Sequence, residues 1–484
     1  MIRLSDLVAA LGTQVAPTAG GSAADPVISD VTHDSRQVHE GSLFCCLRGE
    51  QTDGHTHVAQ AVENSAAAIL CEHGVRSGLP ELVAEDVRRT MSTAAAAVWG
   101  DPSKKLKIVG VTGTNGKTTV VSMIRSILRE AGLSAEMIGT LTGARTTPES
   151  TDLQRLLAKF VEDGVEAVAM EVSSHALVLD RVADVDFDLA LFTNLGRDHL
   201  DFHQTQEAYF AAKALLFEPG LAGAGIANVD DLHGRLLVDA AAIPMSAVSI
   251  NDTSELSTSR AGTTFVWRGH RIVLPMIGSH NVSNAILAAS ACIGIGVDEA
   301  AVVRGLERLE QVPGRFEVVS APDDARSPGF IPVVDYAHTP DALETTLAAA
   351  RQLAGPDHRV IAVFGCGGDR DREKRPLMGA VVARDADVAV VTSDNPRSED
   401  PQSIIEQILQ GFADVDGPNS PQAELIVDAD RRRAIHAGLS AAREGDVVVI
   451  AGKGHESGQT IAGRTEPFDD RQVVAELLGS GDLP

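Results

Sequence analysis

The stretch that decides the fold covers residues 107–132, KIVGVTGTNGKTTVVSMIRSILREAG. Its apolar start, residues 108–111, reads as a buried strand. A glycine-studded loop follows, with Gly110, Gly113 and Gly116. Lys117, Thr118 and Thr119 then open a helix, with Val120, Ile124, Ile127 and Leu128 on one face and Gly132 as its stop. A strand, a glycine loop and Lys-Thr at a helix start form a phosphate cradle. Loop N–H groups and the helix N-terminus point at the anion, and glycine lets the backbone come close. Lys117 would neutralise the β- and γ-phosphates, and Thr118 would offer its hydroxyl to Mg²⁺. The common P-loop spacing wants glycine at position 111, which is Val. The glycines here recur every third residue instead.

Bulk properties narrow the field. A chain of 484 residues accommodates roughly three domains. A formal charge of −26 opposes binding to nucleic acid or to an anionic membrane. Any nucleotide site must therefore carry its own cations. The five cysteines lack CxxC spacing and fit reduced core residues of a cytoplasmic protein. The first residues, MIRLSDLVAALG, pattern as an amphipathic helix and not as a signal peptide. The apolar stretch 282–296 falls short of the ~18–20 residues that span a bilayer.

Other segments place polar residues where strands end. Residues 165–172 are apolar and end near Glu171, at the C-terminal end of a strand, where a Mg²⁺ ligand belongs. Residues 189–193 form the next strand, followed by NLGRDHLDFH. His199 and His203, four apart, leave a zinc reading open, but no HExxH pattern completes it. Lys213 stands among apolar neighbours in the helical segment 207–217, where snorkelling is the plain reading. His280-Asn281-Val282-Ser283-Asn284 opens an Ala-rich helix, and capping alone would explain it. Beyond residue 316, strands near 333–336, 360–365, 388–392 and 447–451 alternate with helices. This pattern predicts a doubly wound parallel sheet with polar loops at its C-terminal edge. One loop reads Asp394-Asn395-Pro396-Arg397, whose guanidinium fork can grip a carboxylate. Arg370 and Glu456 lie on neighbouring loops.

GTNGKTT after a strand resembles the Mur ligase family, ATP-dependent enzymes that form amide bonds. The resemblance covers the chain in order: DSRQVHEGSLF, GEQTDGH, GTNGKTT, RDHLD, AYFAAK, HNVSN, PGR, DNPR and GKGHE. It implies three α/β domains. Residues 1–98 would be a small UDP-muramoyl-binding domain and 99–315 a central P-loop ATPase-type parallel sheet. Residues 316–484 would be a Rossmann-like doubly wound domain for the amino acid. It implies ATP as co-substrate, held by Gly113, Thr114, Asn115, Gly116, Lys117, Thr118, Thr119, Asn281, Asn284, Arg315 and Asp335. The UDP-muramoyl substrate falls to His33, Ser35, Glu50, Gln51, Thr52, Thr146, Thr147, Ser173 and Arg181. Leu179 stands where some members have Gln, so the resemblance does not carry that contact over to this chain.

Catalysis is implied for Lys117, Lys213, Glu171 and His199. Mg²⁺ would sit on Thr118, Glu171, His199 and Lys213, the last as a carbamate. Burial lowers a lysine's pKa, and the neutral amine is the form that CO₂ attacks. Diaminopimelate would meet Arg370, Asp394, Asn395, Pro396, Arg397, Gly452 and Glu456. In the family DNPR marks members that add meso-diaminopimelate, whereas lysine-adding members lack that Arg. The implied reaction passes through an acyl phosphate in cytoplasmic peptidoglycan precursor synthesis. The implied partners are small molecules only, with a monomer expected. A lysine-adding ligase and a nucleotide-gated binding protein remain the alternatives.

Overall fold

The computed structural model describes residues 1–17, 24–49, 52–321, 329–414, 423–480 and 483. Glu50 and Gln51 lie outside the described residues. The chain forms three α/β units in sequence, each with a sheet of its own.

The middle sheet has six parallel strands. Their order is Met245–Val248, Ala222–Asn228, Phe187–Phe192, Lys107–Thr112, Ala167–Glu171, Ala135–Ile138. Helices cover both faces, so the strands are apolar along their length rather than alternating. Lys107–Thr112 is central, with Glu171 opposite Val111 on one side and Phe192 opposite Thr112 on the other. This register brings the glycine loop, Glu171 and the segment after Phe192 out at one edge. The helix Lys117–Glu130 buries Val120, Ile124, Ile127 and Leu128 in a core shared with the helices Ser279–Gly294 and Glu299–Glu307. A three-stranded antiparallel sheet, Thr253–Ser259, Gly262–Trp267 and His270–Leu274, caps this unit. No expectation from sequence covered it. Its first strand is mostly exposed and polar, so it lacks an apolar pattern.

The last sheet also has six strands, in the order Glu317–Val318, Ile331–Asp335, Val447–Ala451, Val360–Phe364, Val388–Val391, Glu424–Val427. Four of these match the expected strands. The two edge strands were missed: one has only two residues, and the other exposes Leu425 and Val427. The sheet is parallel except for Glu317–Val318, which runs antiparallel. The first unit holds a five-stranded sheet ordered Ala16–Pro17, Glu81–Val83, Ala68–Cys71, Ser42–Cys45, Asp30–Thr32. All five cysteines are buried and free. Among the described residues no helix is long and apolar enough to cross a membrane.

One buried ion pair fixes the loop-bearing edge of the last sheet. Arg431 donates to Asp470 through Nε at 2.8 Å and a terminal nitrogen at 2.7 Å, and both side chains are fully enclosed. The same guanidinium reaches the carbonyls of Ser393 and Ala451, the residues that precede the DNPR and GKGHE loops. Asp470→Ala strands that cation, and we expect it to destabilise this unit by about 3–5 kcal/mol. Urea unfolding of wild type and variant checks this; equal midpoints would contradict it.

Candidate active site

The glycine loop forms one wall of a cavity of about 560 Å³ between the middle and last units. Thr114, Asn115, Gly116, Lys117, Thr118 and Thr119 line it, with Thr146, Glu171, His199, Asn281 and Asn284. Arg315, Tyr336, His338 and Asp341 close it from the other side. The loop is tied down behind. Thr114 N–H donates to the Asn194 carbonyl at 2.9 Å, and Asn115 N–H donates to Asn194 Oδ1 at 3.0 Å. Gly113 has a φ of 145°, and a Cβ there would fall 1.9 Å from Thr193 Oγ1. Only glycine fits.

Two lysines share one carbonyl. Lys117 Nζ donates to the carbonyls of Gly113 at 2.9 Å and Thr114 at 2.8 Å. Lys213 Nζ donates to the same Gly113 oxygen at 2.7 Å from beneath the loop. Lys213 is buried, with Nζ 4.3 Å from the Tyr209 ring centroid. Burial holds its ammonium well below the usual lysine range, and the charge of Lys117 adds to that. Burial also lowers Lys117, while Glu171 and Asp198 pull it back up. So Lys213 does not line the cavity; it lies under the cavity's floor.

Glu171 is buried and aimed. Its Oε1 accepts from Thr140 N–H at 2.9 Å and its Oε2 from Thr140 Oγ1 at 3.2 Å. His199 adopts a left-handed backbone, φ 55°, and caps the one-turn helix Leu200–His203. Loss of water pushes its ring down to about 3, against the pull of Asp198. The neutral imidazole is the form that can donate a lone pair to a cation. His203 turns away to hydrogen-bond Ser174 Oγ at 2.9 Å, so it does not join His199 on one face. Among the described residues no three His, Cys, Asp or Glu side chains converge as metal ligands. Glu171 and Thr118 line the cavity with oxygen donors, the kind that Mg²⁺ takes together with nucleotide phosphates.

Sequence reading passed over Asp198, although it sits inside the quoted RDHLD segment. Its Oδ2 lies 3.4 Å from His199 Nε2 and 3.7 Å from His338 Nε2. Burial opposes its charge, yet His338, His199 and Lys374 hold its carboxyl well below the usual range.

Arg315 joins the two units. One terminal nitrogen donates to Thr118 Oγ1 at 3.0 Å, and the guanidinium carbon stacks 4.5 Å from the Tyr336 ring centroid. Asp335 lines the cavity, but its carboxylate is already engaged. It accepts from Phe316 N–H at 2.7 Å, Ala337 N–H at 2.8 Å and Thr346 Oγ1 at 3.0 Å. Asn281 spends its amide on the Ile277 carbonyl at 2.8 Å, and Asn284 bonds Asn281 at 3.3 Å.

Comparison with known proteins fits this layout. Residues 27–101 match the Mur ligase family catalytic domain, 111–292 the Mur ligase middle domain, and 314–454 the Mur ligase glutamate ligase domain. A UDP-N-acetylmuramoyl-L-alanyl-D-glutamate–2,6-diaminopimelate ligase of Syntrophomonas wolfei is 43% identical over 94% of this chain and 95% of its own. The chain belongs to the Mur ligase family. The similarly named ligase of Streptomyces coelicolor is 44% identical over 93% of this chain and 92% of its own. A solved structure titled as the same ligase aligns with 35% identity and a TM-score of 0.63, covering 93% of this Mur ligase and 94% of that chain. A MurF ligase of Thermotoga maritima in complex with ADP has the same fold, with a TM-score of 0.66 at 19% identity, covering 93% of this chain and 96% of its own.

The remaining candidates of this Mur ligase fall in two groups, and of these Thr146 lines the cavity. In the first unit, His33 Nδ1 meets Thr151 Oγ1 of the middle unit at 3.0 Å, and Ser35 Oγ donates to Gln60 at 2.7 Å. Thr52 is exposed. Thr146 Oγ1 sits 3.2 Å from Thr140 Oγ1. Thr147 Oγ1 donates to the Glu171 carbonyl at 2.9 Å and accepts from Ser173 N–H at 3.0 Å. Arg181 donates to the Thr147 carbonyl at 3.2 Å and pairs with Glu149 at 2.8 Å. One chain of contacts thus runs from Arg181 through Thr147 to Glu171.

The last unit gathers the other group. Arg397 has a φ of 53° and donates to the Gly368 carbonyl at 2.6 Å. A Cβ on Gly367 would lie 2.9 Å from the Arg397 guanidinium and 3.9 Å from Arg370 Cγ, so the missing side chain leaves room between two cations. Asn395 Nδ2 donates to Glu456 Oε2 at 2.8 Å. Lys453, which sequence reading quoted but did not select, is fully buried and 3.2 Å from the same oxygen. A Cβ on Gly452 would fall 2.4 Å from Asp394 Oδ2. Pro396 completes the turn, its carbonyl packed against Gly368.

Proposed function

We propose that the chain joins 2,6-diaminopimelate to UDP-N-acetylmuramoyl-L-alanyl-D-glutamate at the expense of ATP. The γ-carboxylate attacks the ATP γ-phosphate, giving an acyl phosphate and ADP. The acceptor amine then attacks the acyl carbon and phosphate leaves. The observation that supports this most is the two-sided cavity, where Arg315 reaches Thr118 across the junction of two units. The loops with Arg397 and Glu456 stand on the same last unit.

Phosphoryl transfer needs alignment and charge neutralisation more than covalent help. Lys117 and Arg315 supply cations, with loop amides from residues 113–119. Asn281 and Asn284 line the cavity and would take the nucleoside, and Asp335 holds the Phe316 backbone at the junction of the two units. Thr118, Glu171 and His199 would hold Mg²⁺, with Lys213 as a carbamate. The bound cation would neutralise phosphate oxygens. His33, Ser35, Thr52, Thr146, Thr147, Ser173 and Arg181 take the UDP-muramoyl dipeptide. Arg370, Arg397 and Glu456 take the acceptor, supported by Asp394, Asn395, Pro396 and Gly452. Domain limits at 98 and 315 follow from this division, and the reaction belongs in the cytoplasm.

An acceptor screen with ATP and the UDP-muramoyl dipeptide tests the reading. ADP release should depend on meso-diaminopimelate. L-Lysine lacks the distal carboxylate and would leave Arg397 with the neutral Gly368 carbonyl in place of an anion, so its kcat/KM should be lower by roughly 10³-fold. Arg397→Ala should raise the diaminopimelate KM steeply and leave the ATP KM nearly unchanged. Equal kcat/KM for both acceptors would instead favour a lysine-adding ligase.

A further inference from the structure

The segment 194–199 touches both halves of the molecule. On its inner side Asn194 accepts from Thr114 N–H at 2.9 Å, and Gly196 N–H donates to Thr114 Oγ1 at 2.9 Å. It ends in His199. Its outer side meets acids of the last unit. Arg197 N–H donates to Asp341 Oδ2 at 3.0 Å, and its guanidinium pairs with Glu373. Arg197 Nε lies 3.6 Å from Asp371 Oδ2, yet both atoms are buried and neither makes a hydrogen bond. The two atoms form an ion pair without a hydrogen bond, so a small approach of the two units would add a charge-assisted one. Asp371 follows Arg370 directly, and its other oxygen accepts from Glu373 N–H at 2.9 Å. The partner of Arg197 and the candidate acceptor-binding Arg370 therefore ride on one turn.

We infer that Arg197 is a positioning residue that couples the acceptor-bearing turn at 370–373 to the nucleotide loop. The inference rests on the reaction proposed above. An acceptor seated on Arg370 moves the turn by a few tenths of an ångström, and the Arg197–Asp371 bond closes. The backbone of 196–199 is then clamped between Asp341 and Thr114, with His199 aligned. The clamp matters because the acyl phosphate has two fates. Attack by the amine forms a C–N bond, breaks the C–O bond to phosphate and releases a proton to solvent. Attack by water breaks the same C–O bond but regenerates the carboxylate, so ATP is spent as ADP and phosphate alone. Misplacing the two units slows the first path and admits water to the second.

The measurement is the ratio of ADP formed to peptide product formed, at saturating diaminopimelate. Wild type should give about one. Arg197→Ala should raise the ratio by roughly tenfold, with the nucleotide KM little changed. A combined Asp371→Asn and Glu373→Gln variant approaches the same contact from the other side. Glu373 is exposed, and the amide keeps the shape of Asp371, so this variant tests the contact even where Arg197→Ala fails to fold. It should raise the ratio in the same direction. Arg197→Lys keeps charge but not the fork and should recover only part of the coupling. A ratio of one in both the Arg197→Ala and the combined variant overturns the inference. Wild type that forms no acceptor-dependent ADP overturns the proposed reaction instead, so the two failures read differently.

Discussion

Lys117→Ala should lower acceptor-dependent ADP formation by roughly 10²–10³-fold while the protein keeps its fold. Lys117 Nζ now rests on two loop carbonyls, Gly113 and Thr114, on the floor of the cavity. A nucleotide phosphate would replace those weak neutral partners with an anion at the helix N-terminus. The charge is therefore pre-positioned, and its removal costs transition-state stabilisation that no neighbour replaces. Arg315, at the junction of the two units, is tethered to Thr118 and Tyr336. The loop keeps its Asn194 contacts and the backbone geometry of Gly113, and loses only the two hydrogen bonds from Lys117. Single-turnover ADP release with a melting curve checks this. Wild-type turnover in the folded variant would remove Lys117 from the phosphate site.

The second large effect concerns Lys213. Lys213→Ala should lose about 10³-fold in rate and recover part of it in added short carboxylates. A fully charged ammonium is unfavourable where Lys213 lies, under the loop and beside Lys117. The neutral amine can attack CO₂: the nitrogen lone pair forms an N–C bond, and a proton leaves to solvent. The product is an anion that balances Lys117. Formate or acetate can replace those oxygens in the space left by alanine. Full activity in Lys213→Arg would show that a cation suffices there, and the carbamate would be abandoned. Rescue also separates loss of chemistry from loss of fold, because a small carboxylate does not refold a collapsed loop.

Much was legible in the sequence because it is local. Residues 107–132 specify a strand, a glycine turn and a helix through apolar spacing and through backbone angles that glycine alone tolerates. Glu171 was readable as a strand-end acid because parallel strands deliver their polar residues at one edge. The same reasoning located four strands of the last sheet, but not its edge strands Glu317–Val318 and Glu424–Val427. Short edge strands carry little apolar periodicity, since pairing with a neighbour and not burial defines them.

Only the tertiary structure decided which side chains share a charge environment. Asp198 is an ordinary acid in RDHLD until His338, from 140 positions further on, comes within 3.7 Å. Lys213 reads as a helix-edge lysine until the Gly113 carbonyl is placed on its nitrogen. Asp335 looks like a ligand-facing acid until Phe316, Ala337 and Thr346 take up its oxygens. Arg197 gains its meaning from Asp341, Asp371 and Glu373, which belong to another unit. Sequence determined the elements and the polar residues at their ends, because dihedral preference and hydrophobic spacing act over a few residues. Desolvation and ion pairing depend on the surroundings in space, so the packing of the three units determined the electrostatics of the site.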